Sequence, residues 1–222
     1  SGGDRQISAP KTRLRAAQAW IRREILDKLP VRDEAHGFVT GRSIKTNAAP
    51  HVQAACLIKL DVKDFFPSIT FPRVKGLLEK SLGFGEAAAT VLALLCTEPP
   101  RVTARFEGEE FRVAVGERQL PQGACTSPAI TNLICRRLDA RLRGLAEKFG
   151  YVYTRYADDL TLSGPTGERG VVGQLIGGAR QILADEGFEA RPDKIGVHRK
   201  GRQQRVTGII VNEKLSLDRR RL

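Results

Sequence analysis

Apolar positions along the chain change period several times, and each change predicts an element. Leu14, Ala17, Ile21, Ile25 and Leu29 recur at helical spacing and stop at Pro30, which predicts a helix over 14–29. Before it, residues 1–13 read as strand and loop, because RQISAPK alternates locally and then meets a proline. The run AACLIKLD, residues 54–61, predicts a short buried strand that ends in an acid. Thr70 and Pro72 open a helix with Val74, Leu77 and Leu78 on its core face. A dense Ala/Leu helix over about 86–95 follows and reads as packing alone. RVTARFE and EFRVAV alternate on either side of Gly108-Glu109-Glu110, which predicts a hairpin. Ser127 and Pro128 then cap and open a helix with one stripe of Ile130, Leu133, Ile134, Leu138, Leu142 and Leu145. A second hairpin is predicted where Tyr151–Tyr156 and Leu160–Ser163 flank Ala157-Asp158-Asp159. A helix over 172–185 ends at Gly187, and the strands FEARP, KIGVHR and RVTGIIVN follow. Mixed strands with helices on one face predict an α+β layer sandwich.

Length and composition narrow the setting. The 222 residues suit one large domain or two small lobes. No apolar run reaches the roughly 18 residues that span a bilayer, and Ser-Gly-Gly-Asp-Arg begins no signal peptide, so a cytoplasmic protein without membrane association is expected. Cys56, Cys96, Cys125 and Cys135 form no CxxC pair and read as reduced thiols. His36, His51 and His198 are scattered and make no metal site by spacing.

Charge alters the picture more. The net charge is +12. Residues 1–50 hold ten Lys/Arg against five Asp/Glu, and residues 191–222 hold ten against three, while the middle balances at seventeen each. The excess therefore lies wholly in the two ends. A polyanion bound across both ends accounts for that segregation better than a generally basic surface does.

The candidate chemistry sits at the tip of the second hairpin. Asp158 and Asp159 are adjacent carboxylates that repel unless cations screen them, and hard cations such as a pair of Mg²⁺ ions take carboxylate oxygens. Taken alone, Asp-Asp reads first as a solvated acidic turn. Asp61 changes that reading, since a carboxylate closing a buried strand is costly without a partner. Arg13 and Arg15 at a helix start make a triphosphate cradle or two solvated arginines. The loop 36–51, with Arg42, either clamps nucleic acid or simply connects. The PQGA loop, with little bulk around Gly123, lets another backbone or a ligand come close.

IKLDVKDFF, LPQGACTSP and YADD, in this order and at these distances, resemble the palm motifs of reverse transcriptases. Asn47-Ala48-Ala49-Pro50-His51 resembles the NAxxH signature of retron reverse transcriptases, and Val206-Thr207-Gly208 resembles their VTG signature. The likeness covers nearly the whole chain. It implies an α+β right-hand polymerase, with fingers and a palm whose antiparallel sheet packs on helices. The implied division is partial fingers over 1–55, palm over 56–212 with a fingers-proximal insertion around 72–120, and the start of a thumb over 213–222.

Carried onto this sequence, the resemblance makes Asp61, Asp158 and Asp159 the holders of two Mg²⁺ ions, with Asp158 the stronger ligand of the hairpin pair. Phe66 matches the steric gate that rejects a ribose 2′-OH, whereas Phe65 reads as core. Gln122 and Gly123 match the loop beside the incoming dNTP, Arg13 and Arg15 the triphosphate contacts, and Lys194 a lysine that protonates or screens pyrophosphate. Asn47, His51, Val206, Thr207 and Gly208 would recognise a structured non-coding RNA. That RNA would serve as template and as primer through a 2′-OH, giving single-stranded DNA, with an effector protein as a further partner. Members of the family usually continue into a helical thumb and begin further upstream, so a truncated chain, a partial chain or a shortened relative is expected. Other readings are a group II intron-like or defence-associated reverse transcriptase, a non-catalytic RNA-binding scaffold and a template-independent transferase. The NAxxH and VTG matches weigh against the first, and the intact acids weigh against the scaffold.

Overall fold

The computed structural model describes residues 7–217. The strand and loop expected over 1–13 and the thumb start expected over 213–222 lie partly outside that range. The described residues divide into two compact units, one of residues 7–30 with 66–134 and the other of residues 31–65 with 135–217. Residues 31–55 thus fall in the same unit as the sheet that carries the acids.

In the first unit the helix α1 spans Thr12–Glu24, and a 3₁₀ turn at Leu26–Lys28 takes the place of its expected last turn. Its Gln18 is buried and donates to the Leu95 carbonyl at 2.9 Å. The chain then enters the second unit, where it forms helix α2 (Ile44–Ala48) and strand β1 (Cys56–Asp61). Back in the first unit, two helices stand at the expected positions, α3 over Phe71–Gly76 and α4 over Glu86–Cys96. Pro72 stands in the first turn of α3, while Thr70 is its N-cap by conformation and its hydroxyl makes no cap bond. The hairpin strands β2 (Arg101–Phe106) and β3 (Glu109–Ala114) are joined by Glu107-Gly108, one residue earlier than expected. Both turn residues take positive φ, 50° and 83°, the geometry that matches strand twist in a two-residue hairpin loop. Helix α5 (Ser127–Ile134) begins at Ser127, whose hydroxyl donates to the Pro121 carbonyl at 2.8 Å and so ties the helix start to the preceding loop.

The single apolar stripe expected over 130–145 is interrupted at Cys135, and a separate helix α6 runs over Arg136–Lys148. It opens the helical layer of the second unit. The sheet there has the order β4-β5-β1-β6, with β4 at Val152–Tyr156, β5 at Asp159–Gly164 and β6 at Gly196–Arg199, and every pairing is antiparallel. Ile58, Leu60, Leu160 and Leu162 are buried, as suits central strands. Helix α6 packs on β4, and α7 (Arg169–Asp185) packs beside α6, where Gly178 lies against Leu145, while its Leu175, Ala179 and Leu183 are buried. FEARP forms no strand, and only an isolated bridge joins Ala190 to Val62. RVTGIIVN folds into two short strands, β7 (Arg205–Val206) and β8 (Ile209–Ile210), because Thr207 and Gly208 both take positive φ and turn the chain back. This ribbon joins a core cluster of Ala48, Leu57, Val206, Ile209 and Val211.

Candidate active site

Strand register sets two of the three acids directly opposite each other. Asp61, the last residue of β1, lies directly opposite Asp159, the first residue of β5, and Asp159 in turn faces Tyr156 of β4. Directly opposed residues project to the same face, with Cβ atoms about 5 Å apart. Asp158 occupies the two-residue turn between Tyr156 and Asp159, and its carbonyl accepts from the Val62 amide at 2.9 Å. The acidic turn is therefore stitched to the end of β1. The Asp61 carbonyl likewise accepts from the Arg191 amide at 2.8 Å.

Cationic side chains balance this corner. Lys194 Nζ donates to Asp61 Oδ2 at 2.9 Å, and Arg191 Nε lies 3.9 Å from Asp61 Oδ1. Lys59, two residues before Asp61 and on the same face, reaches Asp159 Oδ2 at 2.9 Å. Burial raises the pKa of Asp159; Lys59 opposes that rise, and the charges of Asp158 and Asp61 add to it. Among the described residues, no group of three or more metal-competent side chains is drawn into a ligand cluster, since Asp61 and Asp159 are turned onto lysines. The donor set still fits a hard divalent cation. It consists only of carboxylate oxygens, two on one sheet face and the third from the adjoining turn, and the charge that lysines now neutralise on Asp61 and Asp159 is charge an ion would neutralise.

The turn that carries Asp158 is braced from beneath. Arg155 is fully buried and donates from Nε and Nη2 to both oxygens of Asp139 on α6, each at 2.8 Å, and from Nη1 to the Ala157 carbonyl at 3.3 Å. Tyr153 also donates to Asp139, at 2.9 Å. Ala157 takes φ +55°, a conformation an L-residue holds only under constraint. Gly37 supplies part of that constraint: a Cβ there would lie 2.7 Å from the Ala157 nitrogen. Lys59, Arg191, Arg155, Asp139 and Gly37 were not among the sequence-derived candidates. The alternation that puts Lys59 on the face of Asp61 was legible, whereas the link between Arg155 and Asp139 spans two elements with no shared sequence signal.

The remaining candidates separate by place. Phe65 is buried against Phe188, with ring centroids 5.8 Å apart, and Phe66 is half-buried. In the first unit, Arg13 and Arg15 are exposed in the first turn of α1, which has no acidic residue and no side-chain cap. Gly123, at φ +120°, does admit another backbone: a Cβ would lie 2.9 Å from the Ser8 carbonyl oxygen, and the Gln122 carbonyl accepts from the Ser8 amide at 2.7 Å. In the second unit, Asn47, His51 and Val206 are fully buried. The two ring nitrogens of His51 each lie 2.7 Å from a hydroxyl, Nδ1 from Ser163 and Nε2 from Thr154. Burial, with the charge of His36 adding to it, lowers the His51 pKa to about 3. Asn47 Nδ2 approaches Thr207 Oγ1 at 3.5 Å, and Thr207 donates to the Ile44 carbonyl at 3.3 Å. Of the five residues expected to touch RNA, only Thr207 and Gly208 reach the surface; the other three hold that turn and the sheet behind it.

Residues 1–211 match the family model described as reverse transcriptase (RNA-dependent DNA polymerase). Retron Mx162 reverse transcriptase of Myxococcus xanthus is 49% identical over 219 residues, which cover 95% of this chain and 45% of that protein. Retron Mx65 reverse transcriptase of the same organism is 51% identical over 219 residues, covering 99% of this chain and 51% of that protein. The chain thus spans about half the length of these curated relatives. The fold is shared with apo telomerase from Candida tropicalis truncated from its C-terminal domain, at a TM-score of 0.57 and 10% identity over 94% of this chain and 44% of that one. An antiparallel sheet with acids at one corner, a family match over 211 residues and alignment of nearly all of this chain with about half of each retron enzyme lead to one assignment: the chain belongs to the reverse transcriptase family, among its retron-type members.

Proposed function

We propose that this chain carries the fingers and palm of an RNA-directed DNA polymerase of retron type, which copies a structured non-coding RNA into single-stranded DNA. The observation that carries the reading is the direct opposition of Asp61 and Asp159, with Asp158 in the turn that leads from β4 into β5. Asp61, Asp158 and Asp159 would hold two Mg²⁺ ions. Bound there, the ions would activate the primer hydroxyl and offset the charge of the triphosphate and leaving pyrophosphate.

The protein's own groups define the rest of the step. Lys59 and Lys194 keep the acids from repelling each other, and Lys194 can turn from Asp61 towards leaving phosphate when cations replace it. Arg13 and Arg15 supply guanidinium groups to the triphosphate. Phe66 would close the space beside the sugar 2′ position and favour dNTPs, with Gln122 and Gly123 lining the nucleotide. The Thr207-Gly208 turn offers the surface contact for the cognate RNA, with Asn47 against it from inside and His51 holding β4 to β5 through Thr154 and Ser163. An effector protein and a cytoplasmic setting complete the reading by family likeness.

The test is dNTP incorporation on an RNA template with a DNA primer and Mg²⁺, comparing the chain with Asp159→Asn. Template-directed product that the substitution abolishes supports the polymerase. Equal product from both proteins refutes it, and RNA binding without any product moves the function to a scaffold.

A further inference from the structure

Tyr156, Asp159 and Asp61 stand in one row across three neighbouring strands, with side chains on one face. Asp61 is attended by Arg191 and Lys194 at one end of the row. At the other end, beyond Tyr156, lies Phe38. Its ring centroid is 6.5 Å from that of Tyr156, at an interplanar angle of 37°, and it is 56% exposed. A single exposed phenylalanine is ordinary on a protein surface. This one is held out by a segment built to hold it.

Phe38 takes φ +61°, a left-handed conformation that is unfavourable for an aromatic residue. Three neighbours enforce it. Gly37 sits so close to the Ala157 backbone that no Cβ fits. The His36 amide donates to the Arg155 carbonyl at 2.8 Å, and His36 Nδ1 is 2.9 Å from Thr46 Oγ1. Arg42 gathers the preceding turn, donating from Nη1 to the Arg32 and Ala35 carbonyls at 2.6 Å each and from Nη2 to Asp33 Oδ1 at 3.0 Å. The backbone conformation is imposed, yet the ring gains little burial in return. A rigid apolar platform left open to solvent beside the acids is suited to a flat, uncharged partner surface. In a nucleic-acid enzyme, that surface is a base or the sugar face next to it.

We propose that Phe38, backed by Tyr156, is a contact for the template–primer, packing against the base pair at the primer's 3′ end and so holding the terminal hydroxyl in front of Asp61, Asp158 and Asp159. This rests on the polymerase reading above. Phe38 is a positioning residue, since it touches nucleic acid and not the reacting phosphorus.

The test uses Phe38→Ala and Phe38→Trp in the full chain. Fluorescence anisotropy measures affinity for a recessed-primer RNA–DNA duplex without Mg²⁺ or dNTP, then for the same template without primer, and thermal melting checks the fold. One lost stacking contact weakens binding by about tenfold. Phe38→Ala should lose about that much on the recessed duplex, far less on the bare template, with an unchanged melting temperature, and Phe38→Trp should restore most of it. Unchanged duplex affinity overturns the proposal. So does an equal loss on bare template, or a loss accompanied by a fallen melting temperature. A wild-type chain that incorporates no dNTP would refute the polymerase reading alone, because the anisotropy readout does not require catalysis.

Discussion

Arg155→Met tests how the acidic turn is supported. Arg155 and Asp139 are both fully buried, and their carboxylate–guanidinium contact is bidentate, with 2.8 Å in each arm. Burial works against the charge on Arg155, but Asp139 outweighs it, and the guanidinium pKa ends above its ordinary value. The substitution removes three donors at once: two from Asp139 and one from the Ala157 carbonyl. Asp139 is left in the interior with Tyr153 as its remaining side-chain donor from that strand. Breaking one side of a buried pair costs about 3–5 kcal/mol, whereas replacing both partners by apolar groups of similar volume is often nearly neutral. Such a loss is a large part of a domain's total stability of about 5–15 kcal/mol. With a urea dependence of about 2 kcal/mol per molar, the midpoint should fall by about 2 M. The double variant Arg155→Met with Asp139→Leu should recover at least half of that fall. Urea unfolding followed by tyrosine fluorescence and circular dichroism measures both. A cost below about 1 kcal/mol for the single variant would refute the bracing role.

Three further outcomes follow from other parts of the molecule. His51 remains neutral in the folded protein to about pH 3, while in the unfolded chain it titrates near 6.5. Only the unfolded state gains a proton as pH falls below 6.5, so stability is complete above that pH and declines from there towards pH 3. The loss is about 2 kcal/mol at pH 5, and His51→Gln should flatten the curve in pH-dependent urea unfolding. Gly37→Ala forces a Cβ to within 2.7 Å of the Ala157 nitrogen, so melting and primer extension should show a destabilisation of about 1–3 kcal/mol and a loss of activity. RNA binding should fall about fiftyfold between 50 and 200 mM salt if some four phosphates are neutralised by the basic ends, and a flat salt response in a filter-binding titration would remove that role from them.

The hairpin that carries Asp158 and Asp159 was legible because alternation, a short turn and a pair of adjacent acids coincide within fourteen residues. The central strand was legible too, since an apolar run that short, closed by an acid, suits a buried strand far better than a helix. Misreadings came where backbone conformation overrode pattern. RVTGIIVN has strand composition, yet positive φ at Thr207 and Gly208 folds it on itself. The stripe from Ile130 to Leu145 keeps helical period through Cys135, where the helix nevertheless stops, because periodicity records burial and not continuity of hydrogen bonds. The NAxxH residues were recognisable as a signature, but nothing in their order shows that Asn47 and His51 face inward. Their partners Thr207, Ser163 and Thr154 are more than 100 positions away in sequence. The cations at the acids illustrate the same limit. Lys59 is two residues from Asp61, yet its partner Asp159 becomes evident only from register.

The most direct test of the central claim is primer extension on RNA templates that differ at one position, supplying one dNTP at a time, with Asp61→Asn as comparison. The account predicts that Mg²⁺-dependent addition follows the template base, favours dNTPs over rNTPs, and disappears in Asp61→Asn while the melting temperature holds. Addition that ignores the template base, or that survives loss of the Asp61 carboxylate, would contradict it.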